Sequence, residues 1–410
     1  MNFELNYGHQ RVSFAYRGDM GCISTLEPHR SNVDAVRLAL AVPIDNPRLR
    51  DLVRPGQKIA IITSDITRPC PSERLLPPLM DELAVAGVRD ADITVVFGLG
   101  AHRKQTDDER ERLVGREMAA RLHCIDSDPS QTVFVGRTSR GTPIEVFTPV
   151  KQADVRIVLG NVEPHYFAGY SGGAKALVPG VCSIQTIRSN HALMVDPRAR
   201  TGNIEDNPVR SDIEEGAAMI GINFMLNVVL DSSKNIMAAA AGNPTTAHRW
   251  ACRVVDAFSM TPIHELADIV VVSAGGYPKD INMYQAQKAL DNAAVAVKPG
   301  GQIIWVAACP EGLGNPIFEK WMVGSTSAQI LERIQQEFVL GGHKAAAIAR
   351  VQQRAAILLV SELPDELVRA CNMEPCLDLD TAFQAALERS VQKPVITVIP
   401  EGASVLPKAV

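Results

Sequence analysis

The stretch Glu163-Pro164-His165-Tyr166-Phe167-Ala168-Gly169-Tyr170-Ser171-Gly172-Gly173-Ala174-Lys175 gathers more reactive residue types than any other part of the chain. Paired glycines let backbone N–H groups approach an anion closely, and a following lysine adds positive charge. A Walker A loop does not fit, because Ala174 precedes the lysine and Ala176 stands where a magnesium-binding hydroxyl is required. Two roles stay open for Lys175: covalent anchor of a cofactor, or structural surface lysine. His165 lies in this stretch, His102 in Gly100-Ala101-His102-Arg103, and His191 in Arg188-Ser189-Asn190-His191. A histidine ring exchanges protons near neutral pH, so two of them at separate loops suit acid–base work. His9, His29, His123, His248, His264 and His343 have no comparable surroundings and read as surface or packing residues. Nothing has the spacing of an all-protein metal site, with no H-E-x-x-H, no Cys/His knuckle and no metal-spaced cluster of carboxylates, so any metal must draw most of its ligands from something other than the protein. Arg68, Arg103, Lys104, Lys175 and Lys288 are cations in similar polar segments of a chain with formal net charge -5, a distribution that suits a small carboxylate or phosphate.

These residues follow apolar runs that read as strands. Ser64-Asp65-Ile66-Thr67-Arg68-Pro69 follows 58–63, Gly98 to Lys104 follows 92–97, Gly160 to Lys175 follows 155–159, and Ser273 to Asp280 follows 267–272, leading into Tyr284-Gln285-Ala286-Gln287-Lys288. In open α/β sheets ligands bind beyond the carboxyl ends of strands, so the four ends together read as an active site. The intervening patterns predict helices over 72–86, 183–194, 244–258 and 283–296, a helix capped by Thr106 and Glu109, and a hairpin over 133–146. Further strands are expected at 223–230, 301–307, 355–360 and 394–399. The alternation predicts an α/β protein of two domains with mostly parallel sheets and an active site in the cleft between them. Thr261-Pro262 resets the pattern, giving one domain at 1–262 and a second, Rossmann-like one at 263–410.

Composition narrows the class. The 410 residues exceed one ordinary core, and 46% hydrophobic with 21% charged is globular composition. The net acidity argues against a nucleic-acid partner, no apolar run reaches the ~18 residues of a membrane span, and the N-terminus lacks a signal-peptide pattern. A cytoplasmic protein is expected. Eight dispersed cysteines with no C-x-x-C pair read as free thiols.

Taken together, Ser64 to Pro69, Gly100 to Arg103, Glu163 to Lys175, Asn190-His191 and Gln285 to Lys288 resemble the lactate racemase family, including the intervals of ten residues from His165 to Lys175 and sixteen from Lys175 to His191. The resemblance runs from about residue 55 to 345. It implies a nickel-pincer nucleotide, a pyridine mononucleotide with two thio-acid arms, tethered to Lys175, with His191 as the single protein ligand to nickel. Cofactor-maturation proteins are then expected partners. His102 and His165 match the family's catalytic pair, inverting Cα of a small 2-hydroxy acid by reversible hydride transfer. Asp65, Ile66, Thr67, Arg68, Gly172, Gly173, Gln285 and Lys288 would bind the cofactor, with Arg68 and Lys288 also holding the substrate carboxylate. Two alternatives are a non-catalytic cofactor-binding relative and a nicotinamide-type oxidoreductase. The first has no need of both histidines. The second lacks its fingerprint, since Arg103 occupies the third glycine position after Gly98-Leu99-Gly100.

Overall fold

A computed structural model describes residues 2–16, 18, 20–23, 34–231, 234–337, 339, 341–390 and 393–409. The chain divides into two compact units, Pro28–Ala257 and Met1–Glu27 with Phe258–Val410. The boundary thus lies at 258 rather than 262, and the first 27 residues side with the later unit instead of the first. The physical reason is a hairpin, Asn2–Tyr7 paired antiparallel with Gln10–Ala15. Leu5 and Phe14, opposite-strand residues that alternate onto one face, are buried in the later unit's core beside Ile269, Ile304 and Phe383.

In the Pro28–Ala257 unit a six-stranded sheet runs, edge to edge, Ile236–Gly242, Phe224–Leu230, Val155–Asn161, Ile59–Ser64, Ile93–Gly98 and His123–Asp126. All neighbours are parallel except the Ile236–Gly242 edge. Ile59 to Thr63 are all buried, as expected for a strand covered on both faces. The Ser72–Val85 helix covers one face through Leu75, Leu76, Leu79 and Leu83. From Ile59–Ser64 the chain builds outward to His123–Asp126, then returns to the other side of Ile59–Ser64 as Val155–Asn161. The carboxyl ends of those two strands therefore flank the point where strand order reverses, the favoured place for a ligand.

The other unit has its own sheet, in the order Glu374–Cys376, Ala356–Val360, Val297–Val306, Ala267–Ser273, Ile396–Ile399 and Gly21–Cys22, parallel throughout. Its strand order reverses between Ala267–Ser273 and Ile396–Ile399, and there the chain's own turn intervenes. Ser273 Oγ donates to Asn6 O (2.5 Å), Tyr277 N–H to Gly8 O (2.9 Å), and Asn6 Nδ2 to Glu401 Oε1 (3.1 Å). The 273–280 strand end, read from sequence as one of four ligand loops, is instead held largely by the hairpin. Among the described residues no helix is long and apolar enough to cross a membrane, and all eight cysteines are free.

Candidate functional site

In the Pro28–Ala257 unit, Asp65 follows directly on the Ile59–Ser64 strand and is 2% exposed. Its Oδ2 accepts from His102 Nδ1 at 2.5 Å, while Thr67 Oγ1 and Thr67 N–H both donate to Oδ1 at 2.6 and 3.1 Å. Burial alone would raise the Asp65 carboxyl, but the bonds from His102 and Thr67 outweigh it and hold it below the usual range. A carboxylate at Nδ1 fixes the neutral imidazole with its proton there, so Nε2 is the basic nitrogen of His102. This Asp–His pairing joins two loops that sequence reading placed at the site separately.

The His102 loop is held by the lysine segment and by its neighbours. Gly100 N–H donates to Gly180 O (2.9 Å), Leu99 N–H to Ser127 Oγ (3.0 Å), and Ile66 N–H to Gln105 Oε1 (2.8 Å). Gln105 is in turn fixed by Asp126 (2.9 and 3.1 Å). Two of the expected rim cations are committed elsewhere. Arg103 forks onto Glu109, the capping-box residue, at 2.6 and 2.8 Å, and Lys104 lies 3.8 Å from Asp128. Arg68 is exposed at the end of the 65–68 turn.

His165 and Lys175 lie beyond the Val155–Asn161 strand. Residues Pro164–His165 pair antiparallel with Gly169–Tyr170, and Ala168 N–H donates to His165 Nδ1 at 3.3 Å. That bond leaves the proton of the neutral ring on Nε2, the opposite arrangement to His102. His165 stacks on Tyr166 (5.1 Å between centroids) and meets Phe167 edge-on (4.5 Å). Burial, then the charges of Lys175, Arg68, His191 and Arg210, push its pKa well below the ordinary value, so the ring is neutral at pH 7. His191, on the helix Ile184–Ala192, meets Phe167 at 4.9 Å. Lys175 sits in a 3-10 turn, Gly173–Ala176. Burial first, then Arg68 and Arg210, lower its amine to about 7 against the opposing pull of Glu163. An amine so lowered is uncharged in part near neutral pH, and an uncharged amine is a nucleophile.

The glycine pair acts differently from the anion cradle expected of it. Gly173 N–H is taken by Asn227 Oδ1 (2.7 Å). Gly172 and Gly173 have φ of 71° and 60°, and an added Cβ would stand 2.6 Å from Asn227 Oδ1 and 2.8 Å from the His248 ring. Their requirement is conformation and close packing.

Sequence reading missed Arg210 and took His248 for an ordinary surface or packing residue. Both are fully buried. His248 Nε2 donates to Ser171 O at 2.7 Å, and Arg210 donates to three carbonyls of the same loop. A signal for Arg210 did exist: it falls in phase with Ile213 and Ala217 on the apolar face of the helix Pro208–Ile220. Gln285 and Lys288, in the other unit, are exposed one turn apart on the helix Met283–Ala296. Nearby Lys344 donates to Tyr284 O at 2.6 Å and lies 4.3 Å over the Tyr284 ring. Among the described residues no three His, Cys, Asp or Glu side chains gather in a way that could hold a metal.

Residues 7–202 match the lactate racemase N-terminal domain and 263–407 the lactate racemase C-terminal domain. The chain is 34% identical to the lactate racemase of Thermoanaerobacterium thermosaccharolyticum, over 99% of both chains. It is 33% identical to that of Lactiplantibacillus plantarum, over 98% of this chain and 95% of the other. The structure of the T. thermosaccharolyticum lactate racemase apoprotein superposes with a TM-score of 0.87 at 33% identity, over 100% of both chains. A Thermotoga maritima protein at 18% identity and TM-score 0.63, covering 92% of this chain, shares the fold. Two domain matches in sequence order and full-length identity above 30% leave one assignment: this chain belongs to the lactate racemase family.

Proposed function

We propose that this racemase inverts Cα of a small 2-hydroxy acid, with lactate the first candidate because both named relatives are lactate racemases. The observation that carries the reading is Lys175, a half-buried amine lowered to about 7, on the same loop as a neutral His165. These residues fit a tethered anionic cofactor. The amine is nucleophilic, Arg68 and Arg210 make its surroundings positive, and His191 offers one imidazole on the following helix. Lys175 would anchor the nickel-pincer nucleotide and His191 would ligate its nickel, while Asp65 to Arg68 line the site. When bound, that group supplies a reversible acceptor for the hydride on Cα.

The protein's own groups manage the proton and the carboxylate. For one enantiomer the hydroxyl proton passes to Nε2 of His102, whose Nδ1–H stays bonded to Asp65. The 2-keto acid so formed is planar at Cα, and Arg68 holds its carboxylate while the carbonyl turns. The other enantiomer calls on His165, which must give up the Ala168 bond to place its lone pair on Nε2. A general base of this kind contributes about 10²–10⁴-fold.

The test is production with the cofactor-maturation proteins, followed by intact-mass measurement under denaturing conditions and chiral analysis of product from each lactate enantiomer. Wild type should carry a cofactor-sized increment and convert both enantiomers. Lys175→Ala should fold and lack the increment. An identical increment on Lys175→Ala would move the anchor elsewhere, and increment without interconversion would favour a storage protein.

A further inference from the structure

The loop bearing His165 and Lys175 has little regular structure of its own, yet its carbonyls are tied one after another by side chains outside it. Asn207 Nδ2 donates to Phe167 O at 2.8 Å and His248 Nε2 to Ser171 O at 2.7 Å. Arg210 takes three more, those of Ala168, Tyr170 and Gly172. Its Nε donates to Ala168 O and Nη1 to Gly172 O, each at 3.3 Å, and Nη2 donates to Tyr170 O. The side chain is 0% exposed, and Glu214, the carboxylate whose charge bears on it, is forked onto Arg249 at 2.8 and 2.9 Å. A buried guanidinium compensated by backbone carbonyls rather than by a carboxylate is a poor choice for stability, since apolar residues of similar volume often serve as well or better. A functional reason for the charge is therefore called for.

We infer that Arg210 is a positioning residue for the reaction proposed above, one that buckles Ala168, Tyr170 and Gly172 into the conformation that presents His165 and Lys175. The inference rests on the proposed role of Lys175. Its charge acts in the same sense as its geometry. The groups bearing on the Lys175 amine are Arg68 from the 65–68 turn, Arg210 from the helix Pro208–Ile220 and Glu163 from the start of the loop, with His165 alongside and His248 behind Gly173. Arg68 and Arg210 disfavour the ammonium, and Glu163 favours it. Arg210 differs from Arg68 in that it also holds the backbone.

The experiment uses the full chain without cofactor and therefore does not depend on loading. Lys175 is acetylated with acetic anhydride from neutral to alkaline pH and quantified by peptide mass spectrometry, and hydrogen exchange is followed over residues 166–175. In wild type the acetylation of Lys175 should titrate near 7. Arg210→Met should speed exchange in the loop and raise the Lys175 midpoint; one unit of rise cuts labelling at pH 7 about fivefold. Arg210→Lys, which keeps the charge but not the three-carbonyl fork, should speed exchange with a midpoint close to wild type. Arg68→Gln should raise the midpoint without speeding exchange. A folded Arg210→Met with unaltered exchange and midpoint overturns the inference. If that variant fails to fold, unaltered loop exchange in Arg210→Lys overturns it. Failure of Lys175 as anchor would show separately, as an unchanged mass increment on Lys175→Ala.

Discussion

Lys175 and His165 carry a cost that the protein retains. The ordinary lysine value of 10.5 describes the unfolded chain, while the folded amine lies at about 7. Between those values the unfolded state binds more protons, so stability rises with pH through this window, and below pH 7 the penalty is present in full. His165 adds a penalty of the same sign below the ordinary histidine value, because its folded pKa is depressed. Lys175→Met should therefore stabilise the cofactor-free chain most at pH 7 and below, with the gap narrowing as pH climbs toward 10.5. Urea unfolding at a series of pH values measures it, and a gap independent of pH would mean that the buried charge is not its source. Asp65 is the contrasting case. Its depressed carboxyl contributes stability above the ordinary aspartate range that is lost as pH falls through the lowered value.

At the scale of elements, the site is two loops locked to one another and to the strands that end beneath them. Gly100 and Gly173 both have φ near 60°, but their surroundings differ. An added Cβ on Gly100 meets nothing within 4 Å, whereas on Gly173 it would stand 2.8 Å from the His248 ring. Gly100→Ala should thus cost only backbone strain, about 1 kcal/mol. Gly173→Ala combines that strain with a clash against a fully buried ring and should cost about 2–4 kcal/mol. Thermal unfolding of the two variants compares them directly, and equal losses would show that the packing against His248 is not tight. The same close approach explains why Gly173 serves as a structural glycine, its N–H already given to Asn227.

At the scale of the whole molecule, the chain begins in one unit, builds the other and returns. Leu5 and Phe14 complete a core made mostly of residues beyond 258. Asp280, fully buried, accepts from Gly8 N–H at 2.7 Å and Ala308 N–H at 3.2 Å, tying the hairpin turn to the later unit's strand ends. Removing residues 2–15 should destabilise that unit and leave the Pro28–Ala257 unit intact. Hydrogen exchange would show it as lost protection over Ala267–Ser273 and Ile396–Ile399 with Ile59–Ser64 unchanged. Equal loss in both units would contradict the division.

Much of this was legible in the residues alone. Apolar runs such as Ile59-Ala60-Ile61-Ile62 can bury both faces only inside a parallel sheet, and the Thr106–Glu109 cap and the hairpin over 133–146 follow from local chemistry that needs no distant partner. The segments around Asp65, His102, His165, Lys175 and His191 also announced the family, because their residue types and intervals are themselves the pattern. What tertiary structure decided depends on groups far apart in sequence. Asp65 fixes the tautomer of His102 from 37 positions away. Arg103 is withdrawn from the rim by Glu109. The hairpin settles into the later unit because its apolar face finds the matching core there. Above all, Arg210 lies 35 residues beyond Lys175 in an unremarkable helix, and only folding brings its charge to the loop that holds the amine. Charge and hydrogen bonding act through distance in space, and one-dimensional spacing does not record that distance.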